Sequence, residues 1–423
     1  MSEQQPASRR KFKPLPTSEP TAIWERQLLR SREGVVKKLV ANIVLVLTNA
    51  PDWAGCIGYD EFAERIMVVK SCPAGEPGAW TDHHDKLTAV WLQRSQWRIE
   101  CGHELVGHSI EVVAKKRSFH PLRERLNALV WDGNERLDTW TSKYLGAEDT
   151  LVHASIGVHW MLGAVARAFE PGCQMDSALI LEGSQGLGKS SALRILSLGF
   201  FTDELSDVGS KDAAMQLHGN WIVEIAELDA ISRADAAKVK AFLTRRVDKF
   251  RAPYGRHVQE HARSCVFAGS VNHSDYLKDE TGGRRFWPIA CNRIDRNALA
   301  RDTEQLWAEA VVRYRSGVHT YIEDVAVAAQ IAEHTAKRYQ GDAWDQVVTA
   351  YAQVRESVSI AECLEHVGIE RGRWSQTDQN RIAKILKAKN FNRKQVRVGS
   401  DRVWRYFPVS SVTGDNQVTD KTE

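Results

Sequence analysis

The stretch SALILEGSQGLGKSSALRIL, residues 177–196, decides the fold of the chain. Its apolar run at 178–181 has the composition of a buried strand, and the residues after Lys189 have the periodicity of an amphipathic helix. Between them stands G-x-x-x-x-G-K-S, in which backbone N–H groups and a helix N-terminus can surround a phosphate group. The stretch predicts a phosphate-binding loop inside an α/β core. A chance glycine turn before an amphipathic helix is the alternative.

The motif and its flanks give the residues expected to contact nucleotide. These are Gly183, Ser184, Gln185, Gly186, Leu187, Gly188, Lys189, Ser190 and Ser191. In such a loop the lysine spans the β- and γ-phosphate oxygens and the hydroxyl after it binds Mg²⁺. We therefore expect ATP as the substrate and Mg²⁺ as the cofactor, with Lys189 and Ser190 in these two roles.

A second strand with acidic side chains, WIVEIAELD, occupies residues 221–229. Nucleotide hydrolysis needs an acid that holds Mg²⁺ and polarises the attacking water, and Glu224, Glu227 and Asp229 compete for this role. Glu227, at the end of the strand, is favoured as the catalytic carboxylate and as a metal-side residue. Glu224 lies inside the apolar run, so it is either the metal-side acid or a buried residue paired with a nearby arginine.

Polar residues follow a third apolar strand, Cys265 to Asn272. Asn272 ends this strand, where an amide can sense the γ-phosphate and orient water, although asparagine also simply ends strands. Arg284 and Arg285 follow on a glycine-rich loop, which suits a finger that neutralises charge in the transition state. A solvated arginine pair is the alternative.

Two basic segments are candidates for contact with nucleic acid. The first lies between the acidic strand and the Asn272 strand, and its candidate residues are Arg251, Tyr254, Arg256 and His257. A basic hairpin with an aromatic tip can grip a phosphate backbone and stack on a base, and a solvated basic face is the alternative. The second is C-terminal, a basic helix followed by two strand-like runs that turn at residues 399–400, as in a winged helix-turn-helix. Its candidate duplex contacts are Lys387, Lys389, Arg393, Lys394, Arg397 and Arg402, and protein contact is the alternative.

Composition bounds the remaining possibilities. The chain has 423 residues, 43% of them hydrophobic, and a net charge of +3, so several domains are expected and any basic surface must be local. Seven scattered cysteines form no CxxC pair, which favours a reducing cytoplasm, and no apolar stretch is long enough for a membrane span. Helical periodicity runs through residues 25–47. The expected organisation is a disordered tail at 1–20, a small, mainly helical domain at 21–118, a helical collar at 119–170, the core at 171–320, a winged-helix domain at 344–408 and a second tail at 409–423.

Several ordered blocks resemble the virulence-associated E family of phage and mobile-element ATPases, which are similar to superfamily 3 helicases. The blocks are VWDGNERLDTWTSKYLGAED, PGCQMDSALILEGSQGLGKSS, WIVEIAELDAI, FLTRRVDKFRAPYGR and FAGSVNHSDYLKDETGGRRFWPI. The resemblance implies a P-loop NTPase core of the AAA+ type, assembly into a homo-oligomeric ring with a hexamer favoured, and DNA as the partner. Matched by motif, it also implies the nucleotide roles of Lys189, Ser190, Glu227 and Asn272 and of the arginine pair.

The function expected from these features is an ATP-dependent DNA helicase or translocase in the replication of a prophage, plasmid or other mobile element. Single-stranded or forked DNA, and duplex DNA through the C-terminal unit, are the expected partners, together with host replication proteins. A DNA-binding initiator or loader with a switch-like ATPase is the alternative. A small-molecule kinase is disfavoured because it needs neither the arginine pair nor the basic C-terminal unit. Residues 21–105 are too short for a primase-polymerase, so primer synthesis is not expected.

Overall fold

The computed structural model describes residues 23–205, 207–225, 233–251, 257–272, 285–338, 344–398 and 401–409. Of the residues singled out in the sequence, Glu227, Asp229, Arg284, Tyr254 and Arg256 lie outside these ranges. The described residues form two compact units, one from 23–272 and 285–335 and the other from 336–409. In the part of the chain described, no helix combines the length and apolarity needed to cross a membrane.

The first unit begins with three helices and a small sheet. Its helices and strands are α1 (Val40–Asn49), β1 (Ile57–Asp60), β2 (Arg65–Val68), β3 (Gly78–Ala79), α2 (Asp82–Arg94), α3 (His103–Lys115) and β4 (Ser118–Phe119). The sheet order is β3-β2-β1-β4, with β4 parallel to β1 and the other pairs antiparallel. The prediction of helix across 25–47 is wrong in its first half. Gly34 turns the chain with a φ of +85°, Arg30 pairs with Val36, and helix begins only at Val40.

A mixed α/β core follows. Its helices are α4 (Pro121–Ala128), α5 (Trp140–Leu145), α6 (Leu151–Phe169), α7 (Lys189–Leu196), α8 (Lys211–Gln216), α9 (Arg233–Leu243), α10 (Arg296–Arg315) and α11 (Val325–Ala336). Its strands are β5 (Ala178–Glu182), β6 (Phe201–Thr202), β7 (Ile222–Ile225), β8 (Val247–Phe250), β9 (Gln259–Ala262), β10 (Val266–Val271) and β11 (Phe286–Ala290). Between α4 and α5 the chain turns, because Gly133 adopts a φ of +83° and the Asn134 N–H donates a hydrogen bond to the Asp132 carboxylate.

Five of these strands form a parallel sheet in the order β11-β5-β10-β7-β6. The central strands are buried on both faces, as expected for parallel strands covered by helices. Strands β8 and β9 form a separate antiparallel hairpin. Because β10 lies between β5 and β7, the chain segments that follow these three strands emerge side by side at one edge of the sheet.

Indole hydrogen bonds fix the packing of helices on the sheet. Trp160 of α6 donates to the Phe267 carbonyl at 3.1 Å, and Trp221 donates to the Ala164 carbonyl at 2.9 Å. Trp307 of α10 donates to the Leu196 carbonyl at 2.7 Å, at the end of α7. Each indole thereby buries a large apolar surface without leaving its N–H unpaired. These contacts hold α7, which follows the glycine-rich loop, in a fixed position.

The second unit contains three helices and a hairpin. Their bounds are α12 (Asp345–Gln353), α13 (Ile360–His366), α14 (Gln376–Ala388), β12 (Phe391–Val398) and β13 (Asp401–Pro408). Capping boxes at Ser359 and Ser375 start the last two helices, and Val358 pairs with Tyr406 of β13. Arg405 binds Glu362 through two hydrogen bonds of 2.8 and 2.9 Å, so this arginine stabilises the fold of the unit.

Candidate functional site

The glycine-rich loop leaves the carboxyl end of β5 and leads directly into α7. Gly183, Gly186 and Gly188 have φ values of +151°, +81° and +96°. Side chains other than glycine rarely adopt these values. A Cβ atom on Gly183 would also lie 2.7 Å from the Cys291 carbonyl oxygen, so this position tolerates only glycine. In open parallel sheets, ligands bind outside the carboxyl ends of the strands, which is where this loop lies.

Lys189 is the first residue of α7 and is 7% exposed. Its Nζ donates hydrogen bonds to the carbonyls of Gly183 at 2.7 Å and Ser184 at 2.9 Å, and to Asn272 Oδ1 at 3.2 Å. The ammonium group is thus held inside the curve of the loop. Because carbonyl and amide oxygens are neutral acceptors, an anionic oxygen in the same place would bind Lys189 more strongly.

The Ser190 hydroxyl donates a hydrogen bond of 2.8 Å to Glu224 Oε1. Glu224 lies on β7 and is 1% exposed, and its Oε2 is buried without a hydrogen-bond partner among the described residues. An acceptor in this state costs about 1–3 kcal/mol, so Glu224 is poised for a further ligand. Of the two interpretations of Glu224, this contact favours the metal-side acid over the buried arginine partner.

Asn272 follows β10, the strand between β5 and β7, and therefore lies between the loop and the acid. Lys189 and Ser190 of α7 are thus brought together with Glu224 of β7 and with Asn272, which follows β10. Glu227, the carboxylate favoured from the sequence, lies outside the described residues.

Arg285 lies at the amino ends of the strands, whereas the glycine-rich loop lies at their carboxyl ends. Arg285 directly precedes β11, whose Phe286 pairs with Ala178 at the amino end of β5, whereas the loop begins after the carboxyl end. A five-residue strand spans about 16 Å, which separates Arg285 from the loop of its own chain. Arg285 lines a cavity of about 870 Å³, and its Nε is buried without a hydrogen-bond partner among the described residues.

Sequence reasoning missed two residues beside the loop. The Arg296 side chain lies over the loop, with Cδ 3.2 Å from the place of a Cβ on Gly188. Cys291 is buried, and its burial raises the pKa of the thiol to about 12, with Lys189 opposing the shift and Glu182 adding to it. Cys291 is therefore a neutral packing residue. Both residues follow β11 in the chain, so only the position of that strand beside β5 reveals them.

The β8–β9 hairpin carries the first basic segment. Arg251 and His257 are exposed and flank residues 252–256, which are outside the described ranges. At its base, Arg263 binds both oxygens of buried Asp248 at 2.5 and 2.9 Å. Arg263 is therefore paired inside the fold, whereas Arg251 and His257 are exposed.

The candidate residues of the second basic segment are exposed on the second unit. These six residues are Lys387, Lys389, Arg393, Lys394, Arg397 and Arg402. Arg397 and Arg402 occupy directly opposed positions on β12 and β13. Like charges in this arrangement destabilise a free hairpin. Lys389 is partly neutralised by Asp345 at 3.3 Å, and Arg393 lies 4.2 Å from the ring centre of Trp404.

Comparison with known protein families gives a match to the core of the chain. A family model described as the virulence-associated protein E-like domain matches residues 126–340. The chain belongs to this family. The match includes the glycine-rich loop, Glu224, Asn272 and Arg285. The family domain therefore contains the described residues of the candidate site.

Solved structures with similar folds include three of the NrS-1 C terminal region. The apo structure of residues 305–718 has 12% identity, covers 84% of this chain and 96% of that chain, and has a TM-score of 0.44. An A form apo structure of the same region has 11% identity, covers 88% and 100%, and has a TM-score of 0.47. Another A form apo structure has 13% identity, covers 84% and 96%, and has a TM-score of 0.41. A comparison with curated protein sequences gives no match.

Proposed function

We propose that this member of the virulence-associated E-like family is an ATP hydrolase whose glycine-rich loop binds the nucleotide phosphates. The observation that carries the proposal is the convergence of Lys189, Ser190, Glu224 and Asn272 at the carboxyl edge of a parallel sheet. A cation, a hydroxyl group, an acid and an amide at this edge are the groups that phosphoryl transfer requires.

Lys189 binds the β- and γ-phosphate oxygens in place of the neutral oxygens of Gly183, Ser184 and Asn272. In the structure Nζ is already held by Gly183, Ser184 and Asn272, so little side-chain entropy is lost when phosphate replaces these carbonyls. Asn272 is then released from Lys189 and orients the attacking water. Glu227 takes the proton of that water.

The residues present fit Mg²⁺. This ion prefers oxygen ligands and keeps several waters, and the Ser190 hydroxyl and the Glu224 carboxylate supply an all-oxygen donor set. The unpaired Glu224 Oε2 offers an acceptor for a metal-bound water. Bound there, the ion would neutralise charge on the β- and γ-phosphate oxygens. Ser190 would hold the ion, and Glu224 would position the Ser190 hydroxyl.

Arg285 acts on the nucleotide of a neighbouring subunit. Its place at the amino ends of the strands removes it from the loop of its own chain, and its buried Nε lacks a partner within the described ranges. An arginine supplied by a second subunit completes such sites. This supports head-to-tail assembly into a ring.

DNA is the proposed partner of the basic surfaces. The three helices and hairpin of the second unit have the order of a winged helix-turn-helix, and the opposed Arg397 and Arg402 are stabilised by an anionic ligand. The activity proposed is ATP-driven translocation on DNA with strand separation, in replication of a mobile element. The test is the ATPase rate with and without single-stranded and forked DNA, followed by strand displacement. Stimulation by DNA without displacement by an assembled ring would favour the initiator or loader instead.

The roles of Glu224 and Glu227 are distinguished by how each substitution changes the dependence of ATP hydrolysis on Mg²⁺. Glu224→Gln should raise the Mg²⁺ concentration for half-maximal hydrolysis about 10–100-fold, as loss of an outer-shell partner does. Glu227→Gln should bind ATP normally and leave it uncleaved, because the amide keeps the shape but loses the basicity. Asp229→Asn tests the third candidate and should behave as wild type if Glu224 and Glu227 carry the two roles. If Glu227→Gln hydrolyses ATP at the wild-type rate and Glu224→Gln is dead at all Mg²⁺ concentrations, the two assignments are inverted.

The hairpin of the second unit should give duplex binding its salt dependence. Arg397→Gln with Arg402→Gln should weaken duplex affinity and reduce the slope of log K against log salt by about 2, since each phosphate contact contributes about 0.9. The free protein should unfold at the same or a higher temperature, because two opposed charges are removed. Arg371→Gln, which removes an arginine paired with Glu365, is the control. An unchanged slope would leave protein contact as the role of this surface.

A further inference from the structure

Three side chains from distant parts of the first unit meet beside the core sheet. Glu64 lies in the turn between β1 and β2, His218 lies between α8 and β7, and His261 lies on β9. One ligand atom from each falls within 4.8 Å of those from the other two. This Glu64–His218–His261 cluster is separate from the loop, the acid and the arginine of the proposed nucleotide site.

The cluster is partly buried: His261 is buried, His218 is half-buried and Glu64 is exposed. His261 is 7% exposed, and its Nε2 is buried without a hydrogen-bond partner among the described residues. Its Nδ1 lies 2.7 Å from Glu64 Oε2, and the His218 Nδ1 lies 3.5 Å from Glu64 Oε1. One carboxylate thus joins two imidazoles through their Nδ1 atoms.

The residues around the cluster line the adjoining cavity and orient the ligands. Asp248 and Glu61 line this cavity, but Asp248 is already bound by Arg263. Phe250 stacks on His261 with ring centres 4.2 Å apart and fixes the ring orientation.

We propose that Glu64, His218 and His261 bind one divalent transition-metal ion, with Zn²⁺ as the natural occupant. Ligands about 2.0–2.1 Å from a tetrahedral Zn²⁺ lie about 3.4 Å apart, close to the distance between His218 and Glu64. The shorter distance between His261 and Glu64 needs to open by less than 1 Å, by this estimate. Two imidazoles with one carboxylate suit Zn²⁺ better than Mg²⁺ or Ca²⁺, which prefer oxygen ligands alone.

Three protein ligands with an open fourth position are the ligand set of a catalytic Zn²⁺ site, but the small space beside them favours a structural role. The adjoining cavity has a volume of about 40 Å³, which holds a water molecule as the fourth ligand but no organic substrate. Glu64 has a φ of +50°, an uncommon value for a residue other than glycine, and a metal bond offsets the cost of holding it there. The ion would tie the β1–β2 turn to the base of the β8–β9 hairpin, and so would set the direction of Arg251 and His257.

The test uses the full-length protein after removal of metal by a chelator and dialysis. Titration with Co²⁺ should give visible d–d absorption that saturates at one equivalent, without the near-ultraviolet band of a thiolate ligand. Zn²⁺ should displace the Co²⁺ and raise the unfolding temperature by several degrees. His261→Asn and the isosteric Glu64→Gln should each lower the Co²⁺ affinity more than about a hundredfold, because even outer-shell losses cost 10–100-fold.

The matched control is His319→Asn, which removes a histidine paired with Glu323 at 3.3 Å on the surface. It should retain full Co²⁺ and Zn²⁺ responses. Circular dichroism of Glu64→Gln separates ligand loss from misfolding. Failure of the folded wild-type protein to bind either ion would overturn the proposal, as would equal binding by folded Glu64→Gln and wild type. A thiolate band with unchanged affinity in both variants would assign the ion to cysteines instead. None of these results depends on nucleotide hydrolysis.

Discussion

Lys189→Ala is expected to abolish nucleotide hydrolysis and to weaken ATP binding. The substitution removes the cation that the loop itself holds, through the Gly183 and Ser184 carbonyls, at the place assigned to the β- and γ-phosphates. Loss of one preorganised donor to transition-state charge commonly costs about 10²–10³ in turnover, and loss of a full charge should cost at least as much. The measurements are steady-state phosphate release and equilibrium binding of a fluorescent ATP analogue.

Lys211→Ala is the matched control for this experiment. Lys211 also begins a helix, but it is exposed, and it lies on α8 away from the carboxyl end of β5. It should hydrolyse ATP at the wild-type rate. Because Lys189 also bonds Asn272, thermal unfolding of the Lys189→Ala protein should be recorded. A folded Lys189→Ala protein that still hydrolyses ATP within about tenfold of wild type would refute the phosphate-binding role of the loop.

The local part of the site was predictable because its signal is local. A buried strand, three glycines with positive φ and a helix starting at Lys189 occupy one continuous stretch, and the structure contains each of them. The pairing of Ser190 with Glu224 was not predictable in the same way. It depends on β10 lying between β5 and β7, and a single sequence does not fix the order of strands in a sheet.

The N-terminal region shows the opposite case. The sequence predicted a mainly helical domain and did not include its four-stranded sheet, whose strands have only two to four residues and no clear alternation. The helical periodicity of residues 25–47 was a true signal only after Leu39. Before it, the turn at Gly34 and the side-chain bonds of Asn42 to Leu29 and Lys37 take the place of helical hydrogen bonds.

The histidine cluster and the position of Arg285 illustrate a further limit. Glu64, His218 and His261 are far apart in the sequence and follow no metal-ligand spacing, so only the packing of three segments brings them together. For Arg285, the residue type and the glycine-rich loop before it were evident from the sequence, but the end of the strands at which it lies was not. The position of Arg285 at the amino ends of the strands follows from the parallel pairing of β11 with β5. This position decides whether the arginine can reach the nucleotide of its own subunit or that of a neighbour.

Arg285→Ala and Lys189→Ala proteins, each inactive alone, are expected to recover ATPase activity when mixed. Each interface of a head-to-tail ring joins the phosphate loop of one subunit to the arginine of the next, so a site is intact when an Arg285→Ala subunit precedes a Lys189→Ala subunit. Random assembly of equal amounts makes about a quarter of the sites intact, and activity should approach that fraction of wild type. Arg284→Ala is tested in parallel because the sequence supplies two adjacent arginines.

Arg315→Ala is the control for Arg285. Arg315 lines the same cavity, but it donates a hydrogen bond to Asn127 and lies over the Phe169 ring, so it should be dispensable for turnover. Subunit exchange is verified by sizing of differently tagged chains before the ATPase assay. A site completed within one chain predicts no recovery at any mixing ratio. Wild-type monomers that hydrolysed ATP at a specific rate independent of protein concentration would also show that one chain completes the site. Arg285, about 16 Å from the loop of its own chain, would then have no part in turnover.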